Sequence, residues 1–422
     1  MAGAGTSESD CHLDEVEFSI KRKLEGLSPL SDCCIFTVPE RLRQTNEKAY
    51  TPCIVAIGPY HHLNSSLMPM ENHKLLYLQN FLLYNQNYRL KEYIQRVKSW
   101  ENDARNSYDK KINLDSNKFA EMILLDGIFV IQLFLMKQNN GFRLPNDQIF
   151  GKPWMLTDIR SDMALLENQM PFFIVQKLFY MAFGPHHSPT LLQLVWSFFE
   201  LTTEMGHLPW WVVESEVKHF LDVIRLSFLP SVRMTPNESQ VKTEFTQSAT
   251  ELVKAGVKLR RGKSNCLFDI EFKNGVLNIP ELKLFDITES YFRNIIAFEQ
   301  CYHYNDRYLI DYLAFMDSLV DTQYDAKLLI EERIINNWLS NKKAVADLIN
   351  SLCEKVTLSK PGYYFNNLSI DLNNHCKKSC NKWKATFKHE YCSNPWAVIS
   401  VIAAVVLLLL TAAQTVCSVI SL

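Results

Sequence analysis

The stretch Phe119–Met136, FAEMILLDGIFVIQLFLM, decides the fold. It is nearly all apolar and close to the length of a membrane span, yet Glu121 and Asp126 interrupt it. Two carboxylates are expensive in hydrocarbon, so the stretch reads as a central core helix, with Asp115 or Ser116 as its N-cap. Toward the N-terminus, Cys33–Tyr60 is extended and broken by Pro39, Pro52 and Pro59, and Cys53–Ile57 reads as a short buried segment. Glu71–Trp100 carries the apolar spacing of one long helix or two shorter ones. Toward the C-terminus, helical patterns fall at Asp162–Phe183, where Pro171 marks a kink or a start, at Leu191–Leu201 and at Glu214–Leu229. They resume at Glu289–Cys301, Leu309–Leu319, Ala326–Leu339 and Lys342–Val356.

Between these sets lies a polar stretch, 231–247, broken by Pro236 and suited to an internal sub-boundary. Thr250–Ala255 then closes on Gly256, a plausible C-cap. Phe268, Ile270 and Phe272 alternate with acids before Asn274-Gly275 and Val276–Ile279, which predicts a hairpin within 257–284. The expected architecture is therefore mainly α. A large helical domain (33–358) holds a small β-hairpin insertion, after a flexible arm (1–32) that has no secretory-signal character. A polar basic stalk (359–395) and a single C-terminal transmembrane helix (396–422) follow.

The anchor rests on composition. From Trp396 to Leu422 no residue is charged, and the stretch contains VISVIAAVVLLLLTAA. About 20 apolar residues cross a bilayer core as a helix. Lys377, Lys378, Lys382, Lys384 and Lys388 all precede it, so the positive-inside bias places the large domain in the cytosol. A single-pass, tail-anchored protein of the plasma membrane or endoplasmic reticulum fits this layout. Asn64, Asn237 and Asn367 begin glycosylation sequons, close to the number chance supplies, which would matter only for a domain outside the cell.

The formal net charge of −2 argues against a nucleic-acid partner, and eleven scattered cysteines do not make a disulfide scaffold. No catalytic motif stands out. Gly256–Ser264, GVKLRRGKS, has five residues between its glycines where a phosphate-binding loop needs four, and it follows a helix instead of a strand; it reads as a basic hairpin turn. His61, His62 and His73 with Glu71 form the best polar site, but no two of them sit at a tight helical ligand spacing. Asp126, Glu167 and His219 fall in apolar helical stretches, so each is expected to meet a charge partner. His375, Cys376, Cys380, His389 and Cys392 cluster irregularly before the anchor, where Cys392 is a candidate for lipidation. No metal, cofactor or catalytic residue is assigned.

Several of these segments resemble one family. They are Cys33–His62, Met70–Lys74 (MENHK), Leu124–Phe134 and Leu165–Phe173 (LLENQMPFF), then His219–Ser231, Ala249–Leu259, Phe272–Leu284 and Thr288–Cys301. With the C-terminal span they are similar, in order, to the plant proteins grouped as domain of unknown function number 247. Leu63 departs from the family, which usually has Gly after the paired histidines. The resemblance implies a largely helical, C-terminally anchored land-plant protein with no established enzymatic activity. Some members are linked to self-incompatibility in grasses, which suggests recognition or signalling. The leading expectation is thus a membrane-anchored, non-catalytic protein that binds another protein. The alternative is an enzyme of unrecognised type that uses His61, His62 and His73 with Glu71 or Asp126.

Overall fold

Asp115 starts the central helix: its carboxylate accepts from the backbone N–H groups of Asn117 and Lys118, each at 3.0 Å. The helix runs Ser116–Gln138 and is buried on every side from Met122 to Met136. Its two acids part company, Glu121 standing exposed and Asp126 buried. The computed structural model describes residues 16–22, 24, 33–145, 147–199, 212–230, 243–303, 306–358, 362–377 and 395–420. Among these, Ser116–Gln138 is the helix that meets the length and apolarity of a membrane span, but it is enclosed by protein.

A helix apolar all round needs neighbours on all sides. Pro69–Tyr84, Leu90–Ser99, Phe172–Phe183 and Leu191–Phe198 supply them. Tyr77 lies 5.3 Å from Phe129, ring centre to ring centre, and Phe134 lies 5.0 Å from Phe198. Gly127 gives Leu178 its place, since a Cβ there would stand 2.5 Å from the Leu178 methyl. Glu71–Trp100 is therefore two helices, and Pro171 is a helix start, immediately before Phe172.

The helix Phe220–Phe228 carries the core onward, Phe228 meeting Phe292 of the helix Thr288–Cys301 at 5.7 Å. Tyr308–Leu319, Gln323–Glu331 and Lys342–Leu352 complete this half. One hydrophobic core extends from Val38 to Cys376 and joins residues on both sides of 231–247.

The expected hairpin forms about Asn274 and Gly275, both at positive φ, with β2 (Glu271–Lys273) antiparallel to β3 (Val276–Ile279). Two readings are corrected here. The basic stretch is no turn: β1 (Lys258–Arg261) is a strand that pairs parallel with β3, giving the order β1-β3-β2. The helix expected over Ala326–Leu339 stops at Glu331; Arg333 takes φ +58°, and Ile335–Asn337 forms β5 beside β4 (Leu282–Leu284). β-branched Ile335 is buried in that parallel pair, a tertiary gain the local pattern does not show.

The expected polar stalk is also corrected in its first part. Residues Asn366–Lys377 form a helix that buries Ser369, Leu372 and Cys376. Leu368, Leu372 and Cys376, four apart, make one apolar face. His375 packs edge-on against Phe272 of β2, and Asn366 accepts from the backbone N–H of Glu244 at 2.8 Å. The helix is part of the domain, with Asn367 on its exposed side. Residues 16–22 of the expected N-terminal arm are helical and exposed, and Pro395–Ile420 is a helix whose described side chains from Ala403 to Val416 are exposed.

Because Leu372 is fully buried, Leu372→Ala should cost about 2–5 kcal/mol of domain stability, measured by denaturant unfolding. A solvated stalk would register no change.

Candidate functional site

Of the segment expected to be buried, 53–57, residues 55–57 lie inside together with Gly58, whereas Cys53 is exposed and Ile54 half-buried; among the described residues no strand pairs with them. Buried backbone N–H and C=O groups need partners, and here side chains provide them. Asp162 accepts from the N–H groups of Cys53, Ile54 and Val55 at 2.9, 2.6 and 2.9 Å. Asn168 accepts from Ile57 N–H at 2.7 Å and donates to the Val55 carbonyl at 2.9 Å. Lys74 donates to the Ala56 carbonyl at 2.7 Å, and Asp126 accepts from Gly58 N–H at 2.8 Å. Gly58, at φ +76°, admits no side chain, for a Cβ would stand 2.2 Å from the Gln169 carbonyl oxygen.

Lys74 is the centre of this arrangement. Fully buried, it bonds Asp126 and Glu71, each at 2.6 Å. Burial works to strip its charge, but the two carboxylates outweigh that and hold the ammonium above its ordinary range. Burial in turn raises Asp126, against the pull of Lys74.

The neighbouring segment Glu167-Asn168-Gln169 is as tightly committed. Glu167 accepts from Val38 N–H at 2.6 Å and pairs with Arg43 at 2.5 Å. Gln169 donates to the carbonyls of Met163 and Leu165 and accepts from Leu221 N–H at 3.2 Å. Asn294 joins them across the core by accepting from Leu166 N–H at 2.9 Å.

The histidine site divides. Glu71 belongs with Lys74 and Asp126, whereas the His61 Nε2 lies 3.8 Å from Glu167, beside Arg43. Burial lowers the His61 pKa, Glu167 opposing and Arg43 adding to the effect. His62 is half-buried, with no bonded partner for its enclosed Nδ1 among the described residues. His73 is half-buried on the helix Pro69–Tyr84 and enters neither group. Glu71 and Asp126 do converge, but around an ammonium instead of the histidines. Among the described residues no three His, Cys, Asp or Glu side chains are placed to hold a metal ion. Leu63 is exposed and keeps a negative φ, so the loop accommodates it without the freedom of glycine.

Asp126 and Glu167 thus form the ion pairs expected of them; among the described residues His219 forms none, though the nearby Asp222 carboxylate favours its charged form. Its ring caps the helix Phe220–Phe228, Nδ1 accepting from Asp222 N–H at 3.2 Å, while Nε2 donates to the Cys34 carbonyl at 3.1 Å. Both bonds suit a neutral imidazole, and burial pushes its pKa down to about 4. His375 and Cys376 sit on the helix Asn366–Lys377. Cys380, His389 and the lipidation candidate Cys392 lie outside the described residues.

Two features escaped the sequence reading. Arg225 and Glu299 form a buried pair at 3.0 Å, and Glu299 also accepts from the N–H groups of Leu309 and Ile310. Beside them a cavity of about 100 Å³ is lined by Val217, Leu226 and Leu229 with Asp222 and His303, whose Oδ1 and Nε2 stand 3.8 Å apart. A lone arginine in an apolar helix, within HFLDVIRLSF, was the available signal for the first; nothing local signals the second.

The structure is a mainly helical domain in which buried charges fasten an extended segment across the core. The model of the family described as a plant protein of unknown function, domain of unknown function number 247, matches residues 35–410. The chain is 31% identical over 415 residues to UPF0481 protein At3g47200 of Arabidopsis thaliana, covering 92% of this chain and 87% of that one. It is 21% identical over 484 residues to a second Arabidopsis thaliana UPF0481 protein, At3g02645, with 90% and 89% covered. No solved structure matches it significantly. The chain belongs to this plant family.

Two outcomes follow. Lys74→Met strands Asp126 in the core and should destabilise the domain by about 3–5 kcal/mol. Adding Asp126→Asn, which keeps an oxygen for Gly58 N–H, should restore part of that in chemical denaturation. For His219 the folded pKa of about 4 lies below the ordinary imidazole value of 6.5. Its contribution is full above pH 6.5 and is lost as pH falls toward 4, up to about 3 kcal/mol. His219→Asn, which keeps an N-cap acceptor, should flatten that slope in stability measured from pH 4 to 7.

Proposed function

We infer that the protein is a membrane-anchored recognition protein: the helix Pro395–Ile420 crosses a bilayer once, and the helical domain binds another protein without catalysing a reaction. The carrying observation is the apolar helix itself. Its side chains from Ala403 to Val416 stand exposed, and an apolar surface of this extent in water marks an interaction or membrane site. At 26 residues and about 1.5 Å of rise per residue, it exceeds the roughly 30 Å of a hydrocarbon core. The family match runs into it, to residue 410. The lysines at 377, 378, 382, 384 and 388 favour a cytosolic domain.

The domain's side of the reading is supported by the way four of its buried acids are held. Asp126, Asp162, Glu167 and Glu299 each bond backbone N–H groups or a fixed cation. Groups so held position chain segments and are poor proton shuttles.

Protease protection of tagged protein in microsomes tests the topology. The domain should be digested and show no glycosidase shift. A protected, glycosidase-sensitive domain would put it outside the cytosol. Turnover in a substrate screen that disappears in His61→Ala would overturn the non-catalytic reading.

A further inference from the structure

We propose that β1 is a docking edge for an extended acidic peptide, which adds to the sheet as a fourth strand. This deepens the recognition reading above and rests on it.

The backbone supplies the first observation. Lys258 N–H donates to the Gly275 carbonyl at 2.9 Å and Gly262 N–H to the Ile279 carbonyl at 2.7 Å, so the even-numbered residues of β1 face β3. In a parallel ladder the alternate residues, Leu259 and Arg261, then turn their N–H and C=O groups to the other side. β1 is the outer strand of the order β1-β3-β2, and among the described residues no strand lies beyond it. An unpaired edge is a template for a further strand.

Charge supplies the second. Lys254, Lys258, Arg260 and Lys263 are all exposed, and among the described residues none is in an ion pair. The acids nearby are already engaged: Glu281 bonds Arg261 at 2.8 Å, and Glu271 bonds Lys273 at 2.9 Å. Lys258 and Arg260 lie on one face of the strand, because Leu259 between them points into the core. Side chains of an added strand fall beside them with period two. The geometry therefore asks for carboxylates at alternate positions, Glu-x-Glu, on the face shared with Lys258 and Arg260. Lysine on an edge also discourages pairing between like edges, which excludes a second copy of β1 as the occupant and leaves an acidic strand as the complement.

The test is fluorescence anisotropy of the full chain in detergent micelles with three labelled peptides. One alternates Glu with Val or Thr; the second has the same composition in blocks; the third is the first with N-methyl groups on the residues facing the edge. The alternating peptide should bind best, and N-methylation should weaken it about tenfold by removing main-chain bonds. Lys258→Glu with Arg260→Glu, both exposed and remote from the core, should weaken it at least about tenfold. Equal binding of all three peptides would reduce the effect to general charge attraction and overturn the strand-addition site. So would unchanged binding in the charge-reversed variant, or no binding at all. Any of these removes this site alone, whereas the recognition reading falls only with His61-dependent turnover.

Discussion

Residues 55–58 lie in the core without a sheet to bond them, and the packing around them answers that need. Their N–H and C=O groups go to Asp162, Lys74 and Asp126, from three separate helices, and to Asn168, from the irregular stretch after Met163. Leaving such groups unbonded would cost about 1–3 kcal/mol each, so the helices must sit where their polar side chains can reach. Gly58 sets the limit of approach: its missing side chain lets the segment pass against the Gln169 backbone.

The same device recurs. Asp126 holds Lys74 and Gly58 N–H; Glu167 holds Arg43 and Val38 N–H; Glu299 holds Arg225 and two N–H groups at the start of Tyr308–Leu319. A cation and backbone donors share each carboxylate, and together they offset the desolvation of a buried charge. Each carboxylate has at least one bond to a stretch more than 50 residues away in sequence, so these acids choose which segments meet.

Two surfaces then differ in kind. The helix Pro395–Ile420 offers apolar side chains and no charge, whereas the sheet of β1, β3 and β2 offers a strand edge under unpaired cations. Under the readings proposed above, the first meets hydrocarbon and the second an anionic, hydrogen-bonding partner. The helix Asn366–Lys377 packs on the sheet through His375 and Phe272 and brings the chain to the sheet side of the domain before the lysine-rich stretch begins.

Local pattern alone determined much of this protein. The central helix with a cap at Asp115 or Ser116, a kink or start at Pro171, the Asn274-Gly275 hairpin, the uncharged run at the C-terminus and the blocks that mark the family are all legible within a few residues. The sequence also marked Asp126 and Glu167 as acids in need of partners, since an unpaired buried charge is untenable anywhere. Which partners they found was decided only in three dimensions. Lys74 is 52 residues from Asp126, and Val38 is 129 from Glu167; no periodicity carries that information. For the same reason the histidines, two to ten residues from Glu71 in sequence, do not share a site with it. β5 replaced the end of an expected helix because Leu282–Leu284 offered it a buried pairing. Long-range hydrogen bonding and burial overrode local preference at those places, and the docking edge of β1 exists only because β3 pairs with one of its sides and leaves the other open.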